Sequence, residues 1–398
     1  MIDQSGFPEL LVVSQFPAND AGGGGALARQ LLRGYPRERV SWWSCVPGGD
    51  QSIVSPAGRI YTFAPPRRLL PNKRAPRLKS FLLHALWVPL AAAHLRRVTA
   101  RVRPRQVWAL PYGWSIPVTF RAGIMPRFRT HVSIWDYVDN KGHRGLLSDQ
   151  RAELFQRTLE KLYLSAATAD VISKPMLEDL AQRTGRSHPL IVHSGLERID
   201  IERLEQLHPA ELPVIRLAYA GTIIVPSAFE FVVRALNSIR NKLPKPLVLE
   251  FFGGRNVQQN AWFNASWMKD HPRMDEAEFH QELQQCAWGL IVMDLSDSDP
   301  RYNRFSFPNK FGTYLATGVP LIVVGHAESS VVRVMREHSV GVWTSGSTVS
   351  DIAPFFNEAL HEKNPHARFQ SQILQAATTD FNMDAMRRRL WEAWGCGP

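Results

Sequence analysis

The sequence predicts an α/β protein with two doubly wound domains, and three observations carry this prediction. A chain of 398 residues is longer than one hydrophobic core usually supports, so two domains of about 200 residues are expected. Short apolar, β-branched runs alternate with amphipathic segments in both halves, as in parallel sheets covered by helices. Residues 197–213 are charged and lack a core pattern, and we interpret them as the linker.

The chain opens with an apolar strand over 10–16, a glycine-rich loop over 17–25 and an amphipathic helix over 26–33. This order is typical of nucleotide-binding folds, although the loop matches neither the dinucleotide motif nor the P-loop. Gly23 and Gly24 would let a ligand approach backbone N–H groups closely. A flexible surface turn is the alternative interpretation.

Two tryptophans and an aspartate follow predicted strands of the first half. The strand over 130–135 ends at Trp135, Asp136 comes next, and Trp114 lies after the strand over 107–110. Because ligands bind at the carboxyl ends of parallel strands, Asp136 is a candidate ligand contact, with a turn or helix-capping role as the alternative. Trp114 and Trp135 could stack on sugar rings, although most tryptophans serve packing.

The most informative stretch is 305–325, which reads FSFPNKFGTYLATGVPLIVVG. It predicts a loop, a short helix over 311–317 that ends at Gly318, and a buried parallel strand. Lys310 would then stand at a helix start beside the edge of a sheet, where a cation favours phosphate. The alternative is an ordinary helix–strand unit with a solvated lysine.

This stretch resembles the donor-site signature of GT-B glycosyltransferases, "P-x-K-x-x-E-Y-L-A-x-G-x-P-V-I", found in the large retaining family with many bacterial cell-surface sugar transferases. The matching residues are Pro308, Lys310, Tyr314, Leu315, Ala316, Gly318, Pro320 and Ile322. Three features depart from the family. Thr313 replaces its glutamate, Phe305–Ser306 stand where a second one is expected, and 221–227 lack its Arg/Lys pair.

The resemblance implies two Rossmann-like domains facing a central cleft. An acceptor domain would cover 1–200, a nucleotide-sugar domain would cover 214–364, and a helical tail, 365–398, would cross back to the first domain. Lys310 would neutralise phosphate, and Asp136 would contact the transferred sugar or the acceptor as the second catalytic residue. The donor site would comprise Gly221, Thr222, Gly253, Arg304, Pro308, Asn309, Lys310, Thr313 and Tyr314. Gly23, Gly24, Trp114 and Trp135 would line the acceptor side of the cleft.

Neither a metal ion nor a cofactor is expected, because the nucleotide-diphosphate sugar is itself the donor substrate. GT-B enzymes generally need no bound metal, and cationic side chains can stabilise the leaving diphosphate instead. Asp294, Asp297 and Asp299 could be mistaken for a cation site, but we interpret them as a solvated polar loop.

The net charge of +11 comes from one segment. Residues 65–105 contain 11 Lys or Arg and no Asp or Glu, and the rest of the chain is balanced. Such a patch implies an anionic partner, and its apolar centre favours an interfacial membrane helix over nucleic acid. A core helix with a solvated basic face is the alternative. The apolar run 81–95 contains His84, Pro89 and His94 and is too short to span a bilayer.

Three dispersed cysteines and the lack of a recognisable secretory signal favour the cytoplasm, at the inner face of the membrane. The resemblance, together with the basic segment, implies a metal-independent glycosyltransferase that moves a sugar, with retention, from a nucleotide diphosphate to a lipid-linked glycan in surface polysaccharide biosynthesis. Two alternatives stay open. One is a catalytically degenerate GT-B subunit that binds a partner or glycan, and the other is a sugar-nucleotide epimerase.

Overall fold

The structure, a computed structural model, describes residues 6–70, 75–138, 149–207, 213–253, 257–295 and 300–396. Its contacts divide the chain into two compact domains. The first comprises Met1–His193 and Ala385–Pro398, and the second comprises Ser194–Asp384. Each contains one parallel sheet with alternating helices, which confirms the predicted fold class.

The first domain is built on a seven-stranded parallel sheet. Its strands are β1 (Leu10–Ser14), β2 (Val40–Ser44), β3 (Arg59–Thr62), β4 (Gln106–Leu110), β5 (Arg129–Ile134), β6 (Thr168–Val171) and β7 (Leu190–Ile191). They lie in the order β3-β2-β1-β4-β5-β6-β7, so the chain order reverses between β1 and β4. The carboxyl ends of these two strands mark the edge where doubly wound folds bind ligands.

The helices of the first domain are α1 (Gly23–Leu31), α2 (Pro76–Leu82), α3 (Val88–Val102), α4 (Ser115–Ala122), α5 (Asp149–Ser165) and α6 (Lys174–Thr184). Single 3-10 turns occur at Arg37–Arg39 and Arg67–Leu69. β1, β2 and β4 are buried along their whole length, because these central strands have both faces covered.

The second domain is built on a six-stranded parallel sheet. Its strands are β8 (Ile215–Ala220), β9 (Leu247–Phe252), β10 (Met268–Asp270), β11 (Trp288–Val292), β12 (Leu321–Val324) and β13 (Gly341–Thr344). They lie in the order β10-β9-β8-β11-β12-β13, which places the reversal between β8 and β11.

Two helices of the second domain, Pro300–Phe305 and Lys310–Ala316, lie in or beside the predicted donor motif. The helices of this domain are α7 (Arg198–Glu205), α8 (Pro226–Ile239), α9 (Glu276–Gln284), α10 (Pro300–Phe305), α11 (Lys310–Ala316), α12 (Ser330–His338), α13 (Val349–Leu360) and α14 (Pro365–Thr378), with 3-10 turns at Arg240–Lys242 and Val257–Gln259. The last helix, α15 (Met383–Trp394), begins in this domain and continues in the first.

The end of the chain packs into the first domain by backbone and aromatic contacts. The Trp391 indole N–H donates to the Leu31 carbonyl at 3.2 Å, and the Arg387 guanidinium donates to the Gln30 carbonyl at 3.0 Å. The Trp394 ring lies 4.9 Å from the Trp108 ring between centroids. The returning segment is shorter than our prediction of 365–398, because α14 belongs to the second domain.

The first part of the predicted linker is instead a helix of the second domain, and residues 208–212 lie outside the described part of the chain. α7 begins at a capping box, in which Glu197 and Asp200 each accept from the backbone N–H of the other. This helix is hard to recognise in the sequence because it is highly charged and has one fully buried residue, Leu204. The boundary between the domains falls at His193/Ser194, earlier than the predicted 200–214.

One helix runs continuously over Pro76–Val102, through α2, a π-helical turn at Leu83–Trp87, and α3. Proline in a helix interior ordinarily kinks or breaks the helix, because proline lacks an N–H. The π turn carries the helix past Pro89, and the Val88 N–H donates to the Leu83 carbonyl. By length and composition alone this 27-residue helix could cross a membrane, although 39% of its most apolar window is buried inside the protein. Length therefore does not exclude a span, contrary to our sequence argument.

Candidate active site

The carboxyl ends of β8 and β9 expose bare backbone at the reversal in the second sheet. Gly221 follows β8 with φ 87°, and Gly253 follows β9 with φ 75°. Both glycines adopt the left-handed region that side chains disfavour, and no atom of the described residues lies within 4 Å of where a Cβ would be. Both strands thus end in open glycine turns where a ligand can approach the main chain.

Lys310, the first residue of α11, directs its ammonium toward β8 beside these turns. Its Nζ lies 3.8 Å from the centroid of the Tyr219 ring, while the Tyr219 hydroxyl donates to the Thr222 carbonyl at 3.1 Å. Burial lowers the pKa of Lys310 to about 7. Within the described part of the chain, no carboxylate lies within ion-pair distance of this ammonium. The site therefore holds this cation by a cation–π contact, with no carboxylate partner among the described residues.

α11 is fixed at both of its ends. At its start the Ser194 hydroxyl donates to the Asn309 carbonyl at 3.1 Å. At its end Gly318 has φ 70°, and its N–H and that of Val319 donate to carbonyls of the last turn in a Schellman motif. This confirms the predicted helix end. A Cβ on Gly318 would lie 2.5 Å from Leu207, so glycine is also required for packing.

The other predicted donor residues lie after β8, on α10, or on α11 and the segment before it. Thr222 and Arg304 are exposed, and Pro308, Asn309 and Thr313 are half-buried. Arg304 extends from the last turn of α10 over the Phe305 ring, at 5.5 Å. These residues are accessible, and whether they contact a donor stays a prediction.

Tyr314 differs from the residues around it. Its side chain is fully buried, and its hydroxyl forms hydrogen bonds with backbone groups of β8 and β11. A direct contact between this hydroxyl and a donor, as predicted, does not fit such burial. The sequence could not distinguish these roles, because tyrosine suits a ligand contact and a buried position equally well.

One acidic residue of the predicted polar loop is described. Asp294 follows β11 by two positions and is 5% exposed, so it is not the solvated residue that we expected. Asp297 and Asp299 lie outside the described residues.

The first domain places its candidates at the carboxyl edge of its own sheet. Gly23 and Gly24 form the first turn of α1, and a Cβ on Gly24 would lie 3.1 Å from the Phe16 ring. Gly24 therefore lets the first turn of α1 pack closely on the Phe16 ring, and Gly23 is exposed. Asp136, just beyond β5, is exposed as well. Gly23 and Asp136 are thus accessible to solvent, and their contact with an acceptor stays a prediction.

The two candidate tryptophans differ in accessibility. Trp114 is 8% exposed and packs edge-on against Trp87 and Phe155, so it is chiefly a core residue rather than a platform for an acceptor. Trp135 is half-buried, and its indole N–H donates to the Asp170 carboxylate at 3.2 Å.

The carboxylate of Asp170 organises a buried polar network that sequence reasoning missed. Asp170 is completely buried and accepts from His131 at 2.7 Å and from Ser133. The Trp108 indole N–H donates to the Ser133 hydroxyl at 2.7 Å. His131 and Ser133 lie at alternate positions of β5 and Trp135 directly follows it, a spacing of two that could have signalled one polar face. The network holds Trp135 at the strand end.

A second polar cluster in the second domain has the residue types of a metal site. Glu250, His271 and Glu282 present ligand atoms within 4.8 Å of one another. Arg216 bonds Glu250 at 2.5 and 2.7 Å and Glu282 at 2.6 Å. Burial acts to raise the pKa of Glu250, but the bonds from His271 and Arg216 outweigh it and lower that pKa to about 2. The guanidinium supplies the positive charge that a metal would bring, so we interpret this cluster as an ion-pair network.

Comparisons with known proteins agree with this architecture. Residues 218–358 match the family described as glucosyltransferase 3-like, C-terminal domain. Sucrose-phosphate synthase from Thermosynechococcus elongatus has TM-score 0.68 and 14% identity, covering 96% of this chain and 98% of that chain. No curated protein sequence matches the chain significantly.

Two further solved structures share the fold. A trehalose-6-phosphate structure from E. coli, bound with UDP-2-fluoro glucose, has TM-score 0.62 and 12% identity over 98% of this chain and 99% of that chain. A trehalose-6-phosphate synthase studied for glycosyltransfer with retention also has TM-score 0.62 and 12% identity, covering 96% of this chain and 98% of that chain. The chain therefore has the GT-B fold of these glycosyltransferases, and residues 218–358 are similar to the glucosyltransferase 3-like C-terminal domain.

Proposed function

We propose that this protein transfers a sugar, with retention of anomeric configuration, from a nucleoside diphosphate to a lipid-linked glycan acceptor in surface polysaccharide biosynthesis. The second domain would hold the donor at the ends of β8 and β9, and the first domain would hold the acceptor. No metal ion is needed in this scheme, because Lys310 supplies the charge that stabilises the departing diphosphate.

The observation that carries this proposal is the environment of Lys310. Its ammonium lies against the Tyr219 ring, and burial disfavours its charged form. A diphosphate bound over the open turn at Gly221 would provide the missing counter-charge and restore the ordinary protonation of the lysine. Bare backbone N–H groups at such a turn add hydrogen-bond donors for the same anion.

The relatives support the donor class and the stereochemistry. The E. coli trehalose-6-phosphate structure holds UDP-2-fluoro glucose, a nucleoside diphosphate sugar analogue. The synthase studied for glycosyltransfer with retention shares the same fold. In a retaining reaction without a protein base, an oxygen of the leaving phosphate takes the proton of the acceptor hydroxyl. Lys310 would then stabilise the phosphate while the sugar is transferred.

Replacing Lys310 tests the donor site. Hydrogen bonds to charged groups contribute about 1.5–3 kcal/mol, so Lys310→Ala should weaken donor binding about 10- to 100-fold. Lys269→Ala, which removes an exposed lysine of the same domain, is the matched control and should bind normally. Equal turnover by Lys310→Ala and wild type would remove the proposed role. Release of nucleoside diphosphate only when acceptor is present would separate transfer from epimerisation.

The acceptor proposal rests on an exposed apolar stripe along the helix Pro76–Val102. The side chains of Leu78, Phe81, Leu86 and Leu90 are 56–61% exposed. Arg97 and Arg101 follow Leu90 by about two and three helical turns, so they continue the same face, and both are exposed. Apolar residues that lead into arginines fit the boundary between acyl chains and anionic headgroups.

The opposite face of this helix packs inside the first domain. Leu83, Trp87, Leu95 and Val98 are buried, which favours a helix that lies on the bilayer over one that crosses it. A glycosyltransferase held in this way, at the cytoplasmic face of the membrane, would reach lipid-linked acceptors directly.

Vesicle flotation tests the membrane proposal. We expect the protein to float with vesicles that contain about one-third phosphatidylglycerol and to be released by high salt, because salt screens headgroup charges. The double variant Leu86→Glu/Leu90→Glu should stay in solution, whereas Ile199→Glu changes an equally exposed apolar residue of the second domain and should float. Flotation of the double variant at wild-type levels would contradict the proposal, and capture by RNA instead would favour a nucleic-acid partner.

A further inference from the structure

The two central strands of the second sheet pair over an unusually short length. β8 and β11 are in register at only two positions, the last being Gly289 with Ala218, whereas β8 and β9 are in register at six. Both β8 and β11 continue beyond this point toward the carboxyl edge. Buried main-chain groups there, including the Ala220 N–H and the Leu290 carbonyl, need partners other than the opposite strand.

The hydroxyl of Tyr314 supplies those partners. It accepts from the Ala220 N–H at 2.7 Å, and it lies 3.0 Å from the Ala218 carbonyl and 3.3 Å from the Leu290 carbonyl, to which its single proton can donate. The side chain is fully buried. A Cβ on Gly289 would lie 2.6 Å from the Tyr314 ring, so the ring rests directly on the bare backbone of β11.

The same tyrosine is linked to the candidate active site through α11. Lys310 precedes Tyr314 by four residues, so the two side chains share one face of this helix. Lys310 lies over the Tyr219 ring, and Tyr219 stands between the two β8 residues whose backbone bonds the Tyr314 hydroxyl. One face of α11 is therefore attached to β8 at two adjacent points.

We propose that Tyr314 is a positioning residue for the donor site. Its hydroxyl bridges β8 and β11 where their own pairing stops, and this bridge fixes α11 so that the Lys310 ammonium stays over Tyr219. The inference rests on the proposed function, since it concerns how the phosphate-binding cation is held. It assigns Tyr314 no contact with the donor itself.

Tyr314→Phe tests this role because it keeps the ring and removes only the bridge. We expect donor affinity, measured by calorimetry with the nucleoside diphosphate sugar that wild type binds, to fall about tenfold, since small displacements of a binding group are costly. The acceptor KM should be unchanged. The pH at which donor binding is half lost should also rise from that of wild type, because a less confined lysine titrates closer to its usual pKa.

Tyr163→Phe is the matched control. Tyr163 is a fully buried tyrosine of the first domain whose hydroxyl also accepts a backbone N–H, that of His188 at 3.0 Å. Its loss should lower the melting temperature and leave donor affinity and the pH profile unchanged. If Tyr314→Phe behaves like Tyr163→Phe in these readouts, Tyr314 is merely structural and the inference is wrong.

A second variant covers the case in which Tyr314→Phe does not fold. Gly289→Ala keeps the hydroxyl but adds a Cβ where the Tyr314 ring lies, and it should weaken donor binding in the same direction. Unchanged affinity in folded Gly289→Ala would overturn the inference. If wild type binds donor, Lys310→Ala weakens it and Tyr314→Phe does not, the inference alone fails. If wild type binds none of the donors, both the proposed function and this inference fail.

Discussion

Donor binding should depend on pH through Lys310. In the unliganded protein burial lowers the pKa of this lysine to about 7, well below its ordinary value of 10.5. A bound diphosphate raises that pKa again by supplying a counter-charge. Binding is therefore strongest where the lysine is already protonated, and it weakens as pH rises through about 7.

The size of the effect follows from the titration. Between pH 6 and pH 8 the protonated fraction of a group with a pKa of about 7 falls from about 0.9 to about 0.1. Affinity for a nucleoside diphosphate sugar should fall by about the same factor of ten. The two phosphates of such a donor are both esterified and keep a constant charge over this range, so the donor contributes no slope of its own.

Isothermal titration calorimetry in buffers of different ionisation enthalpy measures both the affinity and the proton uptake. Near pH 7 we expect an uptake of about half a proton on donor binding. Lys310→Arg cannot lose its charge in this range and should bind with little pH dependence. Lys310→Ala should bind weakly at every pH. A wild-type affinity that is constant from pH 6 to pH 8, or an equal slope in Lys310→Ala, would refute this reasoning.

Three further predictions concern stability. Because the pKa of Glu250 is lowered to about 2, its ion pairs stabilise the fold above about pH 4.5 and are lost as pH falls toward 2. The free energy of unfolding, measured by urea denaturation, should therefore differ less between pH 6 and pH 3 in Glu250→Gln than in wild type. Gly318→Ala should cost more than Gly253→Ala by about 1–3 kcal/mol in chemical denaturation, since both have positive φ but, among the described residues, only the Cβ at position 318 would meet other side chains, those of Leu204 and Leu207. Lys310→Met should raise the melting temperature of the unliganded protein and weaken donor binding, because burying the lysine ammonium costs stability. A lower melting temperature would count against that cost.

The order of strands and helices could be read from the sequence because it depends on local patterns. The apolar run before Gly325 is the strand β12, and Gly318 ends α11 in the left-handed conformation that its glycine identity predicts. The charged segment after Glu197 was misinterpreted as a linker. A capping box and one buried leucine leave little hydrophobic periodicity, so its helix has a weak signature.

The candidate site was only partly predictable, because its chemistry depends on contacts between distant parts of the chain. The signature stretch identified Lys310, but the Tyr219 ring that carries its ammonium lies on another strand. Similarly, Tyr314 matched the family pattern, and only strand pairing shows that its hydroxyl serves the backbone. Asp170 was overlooked, because its partners come from β5 and are brought together only by sheet register.

A thermal-shift screen against nucleoside diphosphates and their sugar conjugates tests the central claim most directly. A donor at about 100 times its Kd should stabilise the protein by about 2.7 kcal/mol, which is readily detected as a rise in melting temperature. We predict a selective shift with one nucleoside diphosphate family, and the loss of most of that shift in Lys310→Ala. A well-folded wild-type protein that responds to none of these ligands would contradict the assignment of a donor site and would favour a non-catalytic GT-B subunit.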